Sequence, residues 1–401
     1  MFRSKSLYTK LTNAITNAAA LNVTARRTLY SPTSLGIDRF LEAREKSKLQ
    51  INNIDQFKSK MLEFTSEENT KSMVFTEDLK NMLHISDKDD LDLLVKMIKR
   101  FNLQSKEVRF GNFIFGTPIM RLLHFLKEPE IALQLFKDSS LKGFFDQIMS
   151  YHLLLDLLFQ SEQYQDILNT FDIIKSRQIQ GGRFPKNVIV LTFAACYKLN
   201  TPESYEYARK LWKEILDSGI VPMRRAVTFF ASLALDQASP QIALEILSVV
   251  RQQNYLTVRS IKVLSLVKLQ RYDDVLPVLQ SVFHDESEGF TKKTFPSDVI
   301  ETLREEFKKS PENEIKIKFK KIVDFLKEHD HITSNSLDEI LCSEIEQMPM
   351  QNFTMNDDSR NRGRNNEWNQ PRNDQRRYQR QNSNYSYGSY RNQRPGLNEM
   401  N

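Results

Sequence analysis

Glycine and cysteine are scarce in this chain, and it has no long apolar run. Eleven glycines in 401 residues leave few positions for the turns and bulges of a large sheet protein. Most segments instead repeat their apolar residues every three to four positions, which favours an all-α fold. The two cysteines, Cys196 and Cys342, lie far apart and offer neither a disulfide framework nor a CxxC pair. Cys196, set among Phe193, Ala194 and Ala195, reads as a small apolar core group. No stretch approaches the roughly 20 apolar residues that cross a bilayer. The richest, Leu153 to Phe159, is short and broken by Asp156. GxxxxGK[ST] and HExxH are also missing, so the common phosphate loop and zinc helix have no counterpart. His329 and His331 are two apart, off a shared helical face, and read as a solvated helix end. Asp87-Lys88-Asp89-Asp90 reads as a helix N-terminus, where carboxylates oppose the positive dipole end. No enzyme, cofactor, metal or small-molecule substrate is expected.

Charge is unevenly placed. Residues 1–37 hold five basic residues and no acid, and residues 352–401 hold nine arginines against five acids. The remainder carries 43 basic and 46 acidic residues, so the net charge of +6 comes from the two ends. Residues 1–30, rich in Ser, Thr, Asn, Ala and Arg with Phe2, Leu7, Leu11, Ile15 and Leu21 interspersed, read as a mitochondrial presequence, with Arg26-Arg27 marking the processing region. Residues 352–401 combine twelve Asn, five Gln and nine Arg, with Leu397 as the sole branched aliphatic. Such a tail cannot bury a core and is expected to be disordered. Its arginines and aromatics (Arg376, Arg377 and Tyr378 stand together) suit sequence-tolerant contact with single-stranded RNA; a merely solubilising role fits the composition too.

Between these ends the sequence repeats itself. Ala132, Ile167, Ala208, Ala243 and Val275 open similar apolar segments at steps of 35, 41, 35 and 32 residues. A period of roughly 34 residues marks stacked helical hairpins. Ala208 to Pro222 is the clearest unit: Leu211, Trp212 and Ile215 share the face of Ala208, Gly219 sits where a helix needs a left-handed stop, and Pro222 cannot continue it. First helices are expected at Ile148 to Phe159, Val188 to Tyr197 and Ala226 to Leu235. A further unit is expected at Thr76 to Arg100, where Leu91, Leu94, Val95 and Ile98 form a stripe. The resulting organisation is a presequence over 1–30, a helical segment over 38–75, repeats over 76–290, a helical cap over 291–347 and the tail over 352–401.

The hairpin from Asn187 to Pro222 resembles a pentatricopeptide repeat, with Ala208, Leu211-Trp212, Gly219-Ile220 and Pro222 at that family's second-helix positions. Ser150-Tyr151-His152 stands where the family opens its first helix with Thr-Tyr-Asn. Leu141 to Phe145, Phe193 to Ser204 and Ser336 to Cys342 extend the resemblance, towards animal mitochondrial members, over roughly Thr76 to Cys342. The resemblance implies a solenoid that binds single-stranded RNA in the mitochondrial matrix. It also implies a role in maturation, processing or stability of mitochondrial transcripts, hence in respiratory-chain function, alongside other RNA-processing proteins. In the family each repeat reads about one base through a few side chains of its inner face. Carried over, that role falls on His152, Val190 and Thr228, with Arg224 and Arg225 placed to meet phosphates or simply to open a solvated helix. Because the body is nearly neutral, a scaffold that grips a protein segment stands as the alternative.

Overall fold

The computed structural model describes residues 28–51, 53–66, 72–104, 113–178, 182–283 and 292–345. Among them lie eighteen α-helices and one two-residue parallel strand pair, Phe295–Pro296 with Ile332–Thr333. The chain enters through α1 (Pro32–Leu35), α2 (Ile37–Gln50), α3 (Ile54–Phe64), α4 (Thr76–Ile85) and α5 (Leu91–Leu103). The unit expected at Thr76 to Arg100 is thus two helices. Asp90 stands at the N-terminus of the second, where the acidic run was expected, and its carboxylate accepts the backbone N–H of Asp87 at 2.9 Å across the short turn that leads in.

Six helical hairpins follow. They are α6 (Gly116–Leu126) with α7 (Pro129–Lys137), α8 (Ile148–Gln160) with α9 (Tyr164–Arg177), and α10 (Lys186–Leu199) with α11 (Pro202–Asp217). Then come α12 (Arg224–Asp236) with α13 (Pro240–Ser248), α14 (Leu256–Lys268) with α15 (Tyr272–Gln280), and α16 (Ser297–Lys308) with α17 (Asn313–Glu328). The first helix of each hairpin lies beside the first helix of the next, so the even-numbered helices form one layer and the odd-numbered helices form another. A short α18 (Leu337–Leu341) closes the described chain and packs on α12 and α14. This is the all-α repeat solenoid that the sequence predicts.

Ala132, Ile167, Ala208, Ala243 and Val275 are all fully buried, one in each second helix from α7 to α15. A small or branched residue there lets the two layers approach, which is why the position repeats. The stop at Gly219 has the expected geometry: φ is +70°, Gly219 N–H donates to the Leu216 carbonyl and Ile220 N–H to that of Ile215. Within the hairpins the turns use a left-handed residue that is not glycine: Lys127, Glu162, Asn200, Ala238 and Gln270. After four of these, the next residue donates back five positions, as Gln163 does to Leu158 and Ser239 to Ala234. The long 41-residue step contains the connection between α9 and α10, part of which lies outside the described residues.

The two layers differ in composition. Helix α11 buries one stripe: Ser204, Tyr205, Ala208, Leu211 and Ile215. Helix α10 buries every residue from Val188 to Cys196, α8 every residue from Ser150 to Phe159, and α12 every residue from Ala226 to Leu235. A helix apolar all round is covered on all sides. The odd-numbered layer covers one side of α8, α10, α12 and α14, and something else must cover the other.

Candidate nucleic-acid interface

His152, Val190 and Thr228 are each the fifth residue of their helices, α8, α10 and α12, so the array does place them in one register. The same position in α14 is Ser260, which the sequence comparison of hairpins did not single out. They form one row along the array, but its members are sealed. His152 is 2 % exposed, and Val190, Thr228 and Ser260 are 0 % exposed. The Thr228 hydroxyl donates to the Arg225 carbonyl at 3.0 Å, within its own helix. As arranged here, these side chains offer no edge to a base.

The cover is the chain itself. Leu29 and Tyr30, which the sequence places at the end of a presequence, are buried in the core; residues 1–27 of that segment lie outside the described residues. The Tyr30 ring meets His152 edge-on at 4.1 Å, and its hydroxyl reaches the Asn187 carbonyl of α10 at 3.5 Å. The Leu29 carbonyl accepts the backbone N–H of Ile345 at 2.9 Å, so the two ends of the described chain meet over the even-numbered layer. From the C-terminal side, Leu341 and Cys342 are buried beside α12 and α14. Ser336 and Glu339 cap α18 reciprocally, and Lys198 of α10 holds Asp338 at 2.7 Å. Further out, Arg121 of α6 donates to the Leu35 carbonyl at 3.0 Å and fixes the end of α1.

Arg225 is the centre of this cover. Its Nη1 donates to the carbonyls of Ile340 and Leu341, both at 2.7 Å, and its Nη2 donates to Ser343 Oγ at 2.8 Å. A rigid guanidinium fork thereby ties α12 to the carbonyls at the C-terminal end of α18. Burial pushes its pKa down, and the neighbouring Arg224 adds to the effect. The guanidinium of Arg224 lies 3.8 Å from the centroid of the Tyr255 ring, and burial lowers its pKa too. Both arginines are half-buried and already engaged: one is committed to the chain's own backbone, the other to an aromatic face. Arg376, Arg377 and Tyr378 lie outside the described residues.

Beneath Tyr30 sits a small buried polar cluster. Asp156, fully buried on α8, accepts from Gln160 Nε2 at 2.6 Å and meets His124 Nε2 of α6 at 2.7 Å. His152 lies on the same helix. Burial outweighs the field of Asp156 and pushes its pKa down to about 4, so its ring is neutral near pH 7. Its Nε2 has no hydrogen-bond partner among the described residues. Burial likewise raises the Tyr30 phenol far above its usual range. The cluster ties α6 to α8. Cys196 is fully buried and its thiol is pushed up by desolvation, as a core cysteine requires.

His331 departs from the sequence reading. It is buried, not solvated: its Nδ1 meets the Lys293 carbonyl at 2.7 Å, and its own carbonyl accepts the Phe295 N–H at 2.8 Å. His329 alone is exposed, stacked on Phe325 at 3.9 Å. Among the described residues no group of three His, Cys, Asp or Glu side chains is placed to hold a metal ion, and no helix is long and apolar enough to cross a membrane.

No family model matches this chain. It is similar to proteins named pentatricopeptide repeat-containing protein 2, mitochondrial. The Xenopus laevis protein is 29% identical over 320 residues, 79% of this chain and 82% of the relative. The Homo sapiens protein is 29% identical over 272 residues, 67% of this chain and 69% of the relative. The Danio rerio protein is 27% identical over 317 residues, 77% and 82% of the two chains. The resemblance drawn from the hairpin residues is borne out by these relatives.

Proposed function

We propose that a chain so similar to these mitochondrial pentatricopeptide repeat-containing proteins works in the mitochondrial matrix as a non-catalytic RNA-binding adaptor. It acts in the maturation, processing or stability of mitochondrial transcripts, and so in respiratory-chain function. The observation that carries this is the likeness itself, which covers most of the chain and coincides with an array of paired helices of the length that such repeats use. His152, Val190 and Thr228 reach RNA in this reading only when residues 28–31 and 336–345 leave the inner face. Arg376, Arg377 and Tyr378 supply charge and stacking surfaces in this reading. Ultraviolet crosslinking in mitochondria, followed by sequencing of the bound RNA, is expected to recover defined transcripts. Recovery of no RNA above background sinks the reading.

A second reading has an observation of its own. The inner face already grips two protein segments, an extended one at Leu29–Tyr30 and a short helix at Leu337–Leu341. A groove with that chemistry serves a protein-interaction scaffold. Complexes purified from mitochondria that survive ribonuclease favour the scaffold, and complexes that dissolve favour the adaptor.

A further inference from the structure

Residues 28–31 belong to the fold and to the targeting stretch at once. The sequence marks residues 1–30 for removal, because Arg3, Lys5, Lys10, Arg26 and Arg27 stand there with no acid. The fold uses the end of that stretch as core. Leu29 is 0 % exposed and Tyr30 2 %. The Leu29 carbonyl accepts the Ile345 N–H at 2.9 Å, the Tyr30 hydroxyl donates to the Asn187 carbonyl, and the Tyr30 ring meets His152 edge-on. Ser31 then caps α1, its Oγ accepting the Ser34 N–H at 3.3 Å. Thr28, before them, is only half-buried.

We propose that the processing site of this chain is the single bond Arg27–Thr28, and that the mature protein keeps residues 28–31 as a strap on its inner face. The proposal rests on the reading of the protein as one imported into mitochondria. The bond is bounded from both sides. A cut upstream leaves part of the basic stretch attached. A cut between Thr28 and Leu29 creates a charged α-amino group on a residue with no exposed surface, which is less favourable than one on half-buried Thr28. A cut after Leu29 or Tyr30 removes groups that cover α8 and α10. The step itself is a hydrolysis by an endopeptidase. Water adds across the bond, the C–N bond breaks, Arg27 takes the carboxylate and Thr28 the α-amino group. An endopeptidase draws residues on both sides of the bond into its cleft as an extended strand. Leu29 and Tyr30 are buried and hydrogen-bonded once docked, so the cut precedes docking, and docking then protects the new terminus.

The test is mass spectrometry of the N-terminal peptide of the protein isolated from mitochondria. Thr28 is the expected first residue. A first residue anywhere else downstream of Met1 overturns the assigned bond and leaves the import reading standing. A chain that still begins at Met1 overturns the presequence along with it. The order of events is read separately, with trypsin acting on the folded full-length chain. Release of the peptide beginning at Thr28 is expected to be about ten-fold slower in the wild type than in L29A/Y30A, with circular dichroism checking that both keep their helix content. Equal rates in the two chains overturn the protection by the strap.

Discussion

Helices α10 and α11 are joined by two residues, Asn200 and Thr201, yet they solve opposite problems. Helix α11 has one buried stripe and a polar back, as a surface helix should. Helix α10 has no polar back: Val188 to Cys196 are buried without a break. An inner layer evolved to face solvent or a polar ligand would show a polar stripe on its free side. Helices α8, α10, α12 and α14 lack one because Tyr30, Leu341 and Cys342 lie there, with Arg225 holding the carbonyls of Ile340 and Leu341. The surface that repeat architecture nominates for recognition is therefore, in this chain, an internal interface.

The comparison breaks first if the two layers tolerate truncation equally. Phe193, fully buried on α10, stacks on Phe230 at 5.3 Å and meets Trp212 at 6.1 Å. Phe193→Ala is expected to cost about 3–5 kcal/mol in urea unfolding. Trp212→Ala on α11, where the indole is half-buried, is expected to cost about 2 kcal/mol because less apolar area is at stake. Equal costs would mean that the layers are not distinct.

Acid sharpens the same contrast. His152 has its pKa held near 4 by burial, whereas the unfolded chain takes up that proton near 6.5. Between those values the unfolded state binds the proton and the folded state does not, so stability rises with pH through the window. The contribution is complete above 6.5 and is lost as pH falls towards 4, about 3 kcal/mol in all. His84, lowered by burial and by Arg44, adds in the same direction. Urea midpoints measured across that range should fall with acid in the wild type and fall less steeply in His152→Gln.

Arg225→Ala removes a charged donor from two backbone carbonyls and a serine hydroxyl. It is expected to cost about 2 kcal/mol, with amide exchange over residues 336–345 rising more than exchange in α11. A variant whose exchange rises evenly along the chain would place Arg225 in general packing. The smallest effect concerns the hairpin turns. Ala238 sits at φ +52°, so Ala238→Gly should relieve left-handed strain and stabilise by about 0.5–1 kcal/mol. A drop in stability there would show that the turn is held by its neighbours rather than by backbone preference.

The layer contact was legible in the sequence because packing repeats. A small residue must recur wherever two helices cross closely, and Ala132, Ala208 and Ala243 announce it. The cover was not legible, because nothing periodic marks it. Tyr30 reaches Asn187 across 157 residues and Arg225 reaches Ile340 across 115, each contact made once. Leu29 and Tyr30 follow an acid-free basic stretch that speaks of targeting rather than of packing. One signal was available: Leu153 to Phe159 is apolar on every side except at Asp156, and a helix of that kind cannot line an open groove. The turns at Glu162, Ala238 and Gln270 were hidden for a different reason, since residues other than glycine take the left-handed position there.

The two cysteines provide the most direct measurement of whether the inner face is covered. Cys342 is 1 % exposed within the cover itself, and Cys196 lies inside α10 as an internal reference. Alkylation of the native full-length chain, followed by mass spectrometry, reads both thiols in one time course. The cover predicts that Cys342 stays nearly as protected as Cys196 in the wild type and reacts many-fold faster in Arg225→Ala, while Cys196 remains protected in both. Reaction of wild-type Cys342 at the rate of a thiol in urea, with Cys196 still protected, would show an open inner face and contradict the account.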